Sequence, residues 1–147
     1  MEKITVRVFN NSDNKLPEYQ TDYSSGVDLM SNESVVVMPN TSELIGTGIH
    51  VEIPIGYEFQ VRSRSGLAGK KGIFVLNSPG TVDSDYRGEI KIILHNTSKD
   101  PFIVKIGDRI AQMVLCPVFQ ATFEDVDSLS DLSLTDRGHG GFGHTGV

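Results

Sequence analysis

"GTVDSDYRGEIKIIL" runs from Gly80 to Leu94 and joins two kinds of pattern. Its second half, from Glu89 to Leu94, alternates polar and apolar side chains, and Ile92 and Ile93 are β-branched. A period of two with branching that suits a pleated surface predicts a strand. Its first half packs Asp83, Asp85, Tyr86, Arg87 and Glu89 between small turn-forming residues, with Gly80 and Gly88 at the edges. Aspartate, serine and glycine suit tight turns, so the stretch predicts a hairpin. The charges leave two uses open: a solvated turn, or one wall of a site with Val82 and Tyr86 as its apolar mass. A calcium loop fails, because Arg87 would occupy the fifth ligand position and Leu94 the twelfth.

The same alternation recurs outward from this stretch, in "KITVRV" (Lys3–Val8), "GIHVEI" (Gly48–Ile53) and "YEFQV" (Tyr57–Val61). Glycine and proline punctuate at short intervals, for example at Pro39, Gly46, Pro54, Gly72, Pro101 and Gly107. Many short strands between turn signals predict an all-β sandwich or barrel. The best helix candidate is "SGLAGKKG" (Ser65–Gly72), which its glycines limit to a turn or two. No internal repeat is present. Composition shifts near residue 121, where the strand pattern gives way to an acidic and then glycine-rich run. This predicts a β core over residues 1–120 and a flexible, glycine-rich C-terminal arm over residues 121–147, within a single domain.

At 147 residues the chain is long enough for one real core. Its net charge of −6 excludes a general nucleic-acid surface, where basic patches dominate. The alternating N-terminal stretch is expected not to be a signal peptide, and no apolar run in the sequence is long enough to span a bilayer. No nucleic-acid or membrane partner is therefore expected, and the expected location is the cytoplasm (a host cell's, if the chain is viral). Cys116 is the sole cysteine, which excludes an internal disulfide and a cysteine zinc site. It is expected to be a buried structural thiol, and His50 and His95 to be structural histidines.

Three further stretches can carry chemistry. "VRSRSGLAGKKG" gathers Arg62, Arg64, Lys70 and Lys71 in an otherwise acidic chain. Ser65 and Gly66 follow Arg64 at the expected helix start, where free N–H groups can seat a phosphate. The bland alternative is a solvated basic loop. "KIGDRIAQMVL" turns at Gly107 and Asp108 into a strand that carries one polar residue, Gln112, which must find partners. "RGHGGFGHTGV" ends the chain with Arg137, able to fork onto a phosphate, and Phe142, able to lie on a base. Simple fraying is the alternative there.

Taken in order with "SGVDLMS" (Ser25–Ser31), these stretches resemble the five motifs of the homotrimeric dUTPases. "RSRSGLA", "GTVDSDYRGE" and "GDRIAQ" read almost as that family has them, and the resemblance spans Gly26 to Gly146. It implies a distorted jelly roll, a homotrimer with active sites at subunit interfaces, and Mg2+ carried by the triphosphate rather than held directly by the protein. It implies hydrolysis of dUTP to dUMP and pyrophosphate by water attack at the α-phosphorus. That reaction keeps uracil out of DNA and supplies dUMP for thymidylate synthesis.

Residue by residue, the resemblance makes Asp83 the group that orients and deprotonates the water. Tyr86 would pack under the deoxyribose, and Asn77 with the backbone from Thr81 through Val82 to Asp83 and near Lys91 would read uracil. Arg64, Ser65, Gly66 and Gln112 would hold phosphates. Arg137 would reach the γ-phosphate, and Phe142 and Gly143 belong to the motif that closes over the base. Asp28, in the first motif, is expected at an interface or in a water network. The final motif departs from the usual "GFGSTG": His144 replaces the serine and becomes a possible phosphate contact. The related dCTP deaminases need extra polar residues after the second motif, and Ser65, Gly66 and Leu67 do not supply them. A regulator that binds protein partners leaves no short motif to read.

Overall fold

A computed structural model describes residues 2–142 of the chain. Among the described residues the elements run β1 (Arg7–Asn10), β2 (Val27–Met30), β3 (Val35–Val37), β4 (Ser42–Gly46), β5 (Ile49–Glu52) and β6 (Tyr57–Arg62). A short helix α1 (Ser65–Lys71) follows, then β7 (Ile73–Val75), β8 (Gly80–Val82), β9 (Lys91–Asn96), β10 (Phe102–Val104) and β11 (Arg109–Pro117). The architecture is all-β, as the strand pattern predicts, and is the jelly roll that the resemblance implies. Beyond β11 the described chain holds only a 3-10 turn, Leu129–Asp131, and is almost wholly exposed.

Strands distant in sequence lie side by side. One sheet has the order β2-β11-β6-β8, a second β4-β9-β7, and the pairs β1-β5 and β10-β3 complete the set, all antiparallel. The period of two decides which side chains enter the core. Ile92, Leu94 and Asn96 of β9 are buried while Lys91, Ile93 and His95 are not. Val27 and Leu29 of β2, Phe59 and Val61 of β6, and Ala111 and Met113 of β11 face inward against them. Full burial of each large side chain contributes roughly 1.5–3 kcal/mol, so this cluster holds the sheets together.

The buried polar groups are satisfied. Asn96 Nδ2 donates to the carbonyls of Val37 (2.9 Å) and Asp100 (2.8 Å), and its Oδ1 accepts from Ser98 N–H (2.8 Å). Thr47 Oγ1 donates to the Ile90 carbonyl at 2.6 Å.

Helix α1 is the two-turn piece its glycines allow. Gly72 caps its C-terminus in the left-handed region at φ 67°, where its N–H reaches the Ala68 carbonyl. Lys70 and Lys71 occupy the last turn, where cations complement the helix dipole. The apparent basic cluster is thereby divided, because these lysines sit at the far end of the helix from Arg64.

Three expectations need correction. The stretch from Gly80 to Glu89 does not link two paired arms: β8 pairs with β6, whereas β9 pairs with β4 and β7. The chain makes a turn, with Tyr86 N–H on the Asp83 carbonyl (3.1 Å), and then crosses to the other sheet. The strand expected over Lys3–Val8 starts only at Arg7, where the ladder with β5 begins. Cys116 is half-buried rather than buried, because its position near the end of β11 faces outward beside Arg62.

Candidate active site

Asp28 sits at the centre of the best-defined polar cluster. It lies on β2 directly opposite Gln112 of β11, which is in turn opposite Arg62 of β6. One carboxylate oxygen accepts from Arg64 Nε at 2.8 Å and the other from Arg109 Nη1 at 3.2 Å. Arg64 Nη1 also donates to the Arg109 carbonyl at 3.2 Å. The Arg64 and Asp28 side chains are 26% and 15% exposed, so the pair is shielded enough to orient the guanidinium. Asp28 is thus the anchor of two arginines within one chain, a role the sequence leaves open between interface and water network.

Arg64 is also the N-cap of α1, and no side chain caps that end. The first N–H groups to reach acceptors are those of Leu67 and Ala68, both on the Arg64 carbonyl. Ser65 and Gly66 are exposed, and a Cβ on Gly66 would meet nothing within 4 Å. Gln112 lies close by: its Nε2 donates to the Ser63 carbonyl at 2.9 Å. A Cβ on Gly26 would stand 2.9 Å from Gln112 Oε1, so glycine makes room for this side chain. Arginine, open N–H groups and an amide are a donor set whose chemistry suits phosphate oxygens, in a chain of net negative charge.

Asp28 and Arg109 also line a cleft of about 240 Å³, together with Lys15, Glu18, Gln20 and Met30 among others. The hydrogen bond from Lys15, with its charge, holds the Glu18 carboxyl below the usual carboxylate range.

Asp83 and Tyr86 occupy the crossing turn. The Asp83 side chain is exposed, whereas Val82 beside it is 7% exposed and faces the core, leaving only its backbone for a ligand. Tyr86 Oη donates to the Glu89 carbonyl at 2.9 Å, and its ring lies over Gly88, where a Cβ would overlap it. Glu89 Oε1 accepts from Gly48 N–H at 2.9 Å, and His50 Nδ1 meets the Arg87 carbonyl at 3.0 Å. Arg87 donates to the Ser84 and Tyr86 carbonyls. The turn is therefore stiffened from its own backbone and docked on β5. Asn77 is exposed, and its side chain lies against Gly80 at the start of β8. Thr81 is exposed beside it, and Lys91 begins β9 with Nζ 3.7 Å from Glu89 Oε2.

The chain thus brings Arg64, Gln112 and Asp28 together, and carries Asn77, Thr81, Asp83 and Tyr86 on and beside β8, which pairs with β6 of the same sheet. Among the described residues no hydrogen bond or ion pair joins the two groups. Arg137 bonds its own turn, Nε to the Gly140 carbonyl at 2.8 Å, and Phe142 is fully exposed. Gly143 and His144 lie outside the described residues. Sequence reasoning missed Arg109 as the second partner of Asp28. Ile110 and Ala111 are adjacent apolar residues in β11, but that run alone does not say to which face Arg109 turns.

Comparison with known proteins gives a consistent result. A model of the dUTPase family matches residues 12–146. The deoxyuridine 5'-triphosphate nucleotidohydrolase of Nautilia profundicola is 54% identical over 144 residues, 98% of this chain and 99% of that protein. Its namesake in Chlamydia trachomatis is 56% identical over 137 residues, 92% of this chain and 93% of that protein. The dUTPase of Staphylococcus bacteriophage 80alpha, solved with dUpNHpp, superposes with a TM-score of 0.85 at 27% identity, covering 99% of this chain and all of that one. A variant dUTPase of S. aureus phage phi11, whose structure details the coordination of a structural Mg(II) ion, gives 0.79 at 25% identity over 86% of this chain and 99% of that one.

Proposed function

The chain belongs to the dUTPase family and hydrolyses dUTP to dUMP and pyrophosphate, and we propose that it does so with Asp83 as general base in a site completed by neighbouring copies of the chain. The observation that carries this reading is the phosphate seat: Arg64 braced on Asp28, beside an uncapped helix start and Gln112.

The triphosphate lies against Arg64, the N–H groups of Ser65 and Gly66, and Gln112. The donors there are cations and N–H groups, and both oxygens of Asp28 are engaged by arginines. Such a donor set fits phosphate oxygens, so Mg2+ enters as part of the substrate, on the triphosphate and water. Bound there, Mg2+ supplies charge neutralisation to the phosphates. Asp83 orients a water toward the α-phosphorus and takes its proton, an effect typically worth ~10²–10⁴-fold. Tyr86 packs under the deoxyribose and leaves no room for a 2′-hydroxyl. Asn77 and the backbone from Thr81 to Asp83, with that near Lys91, read uracil. Arg137 reaches the γ-phosphate, and the arm over residues 121–147 closes on the bound nucleotide through the motif holding Phe142, Gly143 and His144.

No hydrogen bond or ion pair among the described residues joins the two residue groups, which leaves room for a site shared between copies, and a homotrimer is the assembly we propose. Phe119 and Phe123, each 92% exposed just after β11, are apolar surface that a neighbouring copy can cover. No helix among the described residues is long and apolar enough to cross a membrane. A cytoplasmic location is proposed on kinship alone, as the place where a dUTPase meets free dUTP.

Pyrophosphate release from dUTP, dCTP, dTTP and UTP with Mg2+ tests the reading. Rapid release from dUTP alone is expected. Ammonia release from dCTP, or equal turnover of UTP, would overturn it.

A further inference from the structure

Strand β11 carries an irregularity where it meets β2. Arg109 stands opposite Met30 but Ala111 stands opposite Leu29, so Ile110 is the extra residue of a β-bulge. In unbroken alternation Arg109 would share the inward face of Ala111 and Met113. The bulge lets Ile110 and Ala111 both turn into the core, at 1% and 0% exposure, and puts Arg109 on the face of Asp28 and Gln112. Bulges beside active sites commonly re-aim a side chain in this way.

The consequence lies in how Asp28 divides its two oxygens. Carboxylate and guanidinium prefer a forked pair of hydrogen bonds, here Nε and Nη2 of Arg64 on both oxygens of Asp28. That fork would consume the edge of Arg64 that a phosphate needs. Instead Oδ1 alone accepts from Arg64 Nε at 2.8 Å, while Oδ2 accepts from Arg109 Nη1 at 3.2 Å. The Arg109 carbonyl ties Arg64 Nη1 from the other side at 3.2 Å. Among the described residues Arg64 Nη2 has no acceptor.

We propose that Arg109 is a positioning residue: placed by the β-bulge, it withholds Asp28 Oδ2 from Arg64 and so keeps the Nη2 edge of Arg64 free for the substrate triphosphate. Removing the Arg109 side chain releases Oδ2, Asp28 closes the fork on Arg64, and the phosphate seat loses its best donor. The proposal rests on the dUTP reading for its kinetic part and on geometry alone for the clamp.

The test combines kinetics with the Arg64 Nε–H resonance of the full-length protein, assigned by its loss in Arg64→Lys. Arg109→Ala is expected to lower kcat/KM for dUTP by about tenfold to a hundredfold, the scale of a misplaced contact. Arg109→Lys restores most of that loss, because a cation again holds Oδ2. In an Arg64→Ala background, Arg109→Ala costs no more than about twofold, since coupled positions are not additive. The Arg64 Nε–H resonance moves in Arg109→Ala and returns toward its original position in Arg109→Lys. Wild-type kcat/KM in Arg109→Ala, or equal losses in both backgrounds, overturns the proposal. If the unmutated enzyme releases no pyrophosphate from dUTP, the functional reading falls instead. The resonance then decides the clamp alone: an unmoved signal in Arg109→Ala refutes it and a moved one upholds it.

Discussion

A Cβ on Gly88 would overlap the ring and hydroxyl of Tyr86, whose hydroxyl is already fixed on the Glu89 carbonyl at 2.9 Å. Gly88→Ala must therefore displace the ring while leaving the core untouched. The ratio of kcat/KM for dUTP over UTP should fall by about tenfold or more, the range a lost steric contact can supply. An unchanged ratio would remove Tyr86 from the sugar. Asp83 lies on the same turn with an exposed carboxylate. Asp83→Asn keeps its shape but cannot take a proton, so kcat should drop by roughly 10²–10⁴-fold. Calorimetry with a non-hydrolysable dUTP analogue should show affinity retained; a lost affinity with normal kcat would reassign the residue to binding. His144 stands where the family's final motif usually carries serine, and of the two only an imidazole can take a proton and a positive charge. A cation favours a phosphate, so KM for dUTP should rise with pH more steeply than in His144→Ser. Parallel profiles would leave His144 without a phosphate contact.

Among the elements, β9 shows what its sequence could and could not tell. Its alternation reads directly as a strand, and Ile92 and Leu94 are fully buried as that pattern requires. Asn96 closes the same inward row, and its three hydrogen bonds join β9 to β3 and to the turn at Ser98–Asp100. Asn96→Ala strands those groups in the interior and should cost about 1–3 kcal/mol for the lost bonding, measured by urea unfolding. A cost near zero would mean that water replaces the amide. Alternation was thus enough for β5, β6 and β9, and the glycines of α1 set its length and its end at Gly72. Pairing was not legible, because a strand's pattern names its inward face and not its neighbour. That is why Gly80–Glu89 reads locally as a hairpin although its flanks belong to different sheets. Of the candidate site, the motifs name Arg64 and Gln112, and the fold brings them close, with Gln112 Nε2 on the Ser63 carbonyl. It was not legible where a bulge changes which way Arg109 points.

At the scale of the whole molecule, the phosphate seat and the Asp83–Tyr86 turn are both formed by one chain yet share no hydrogen bond or ion pair among the described residues. In the proposed trimer a head-to-tail interface sets one surface of each copy against a different surface of the next, so that each site would take its phosphate seat from one copy and its turn from another. Co-expression of Arg64→Ala and Asp83→Asn chains separates this arrangement from a site closed within one chain. Either variant alone lacks a working group in every site. In a random mixture, a shared site is intact when the seat comes from an Asp83→Asn chain and the turn from an Arg64→Ala chain. With equal amounts that happens at about one site in four, so the mixture should recover roughly a quarter of wild-type turnover. Sites closed within single chains would recover none, since every chain carries one lesion. Sedimentation of the mixed sample at the mass of the pure variants would show that both assemble alike, leaving shared sites as the source of the recovered activity.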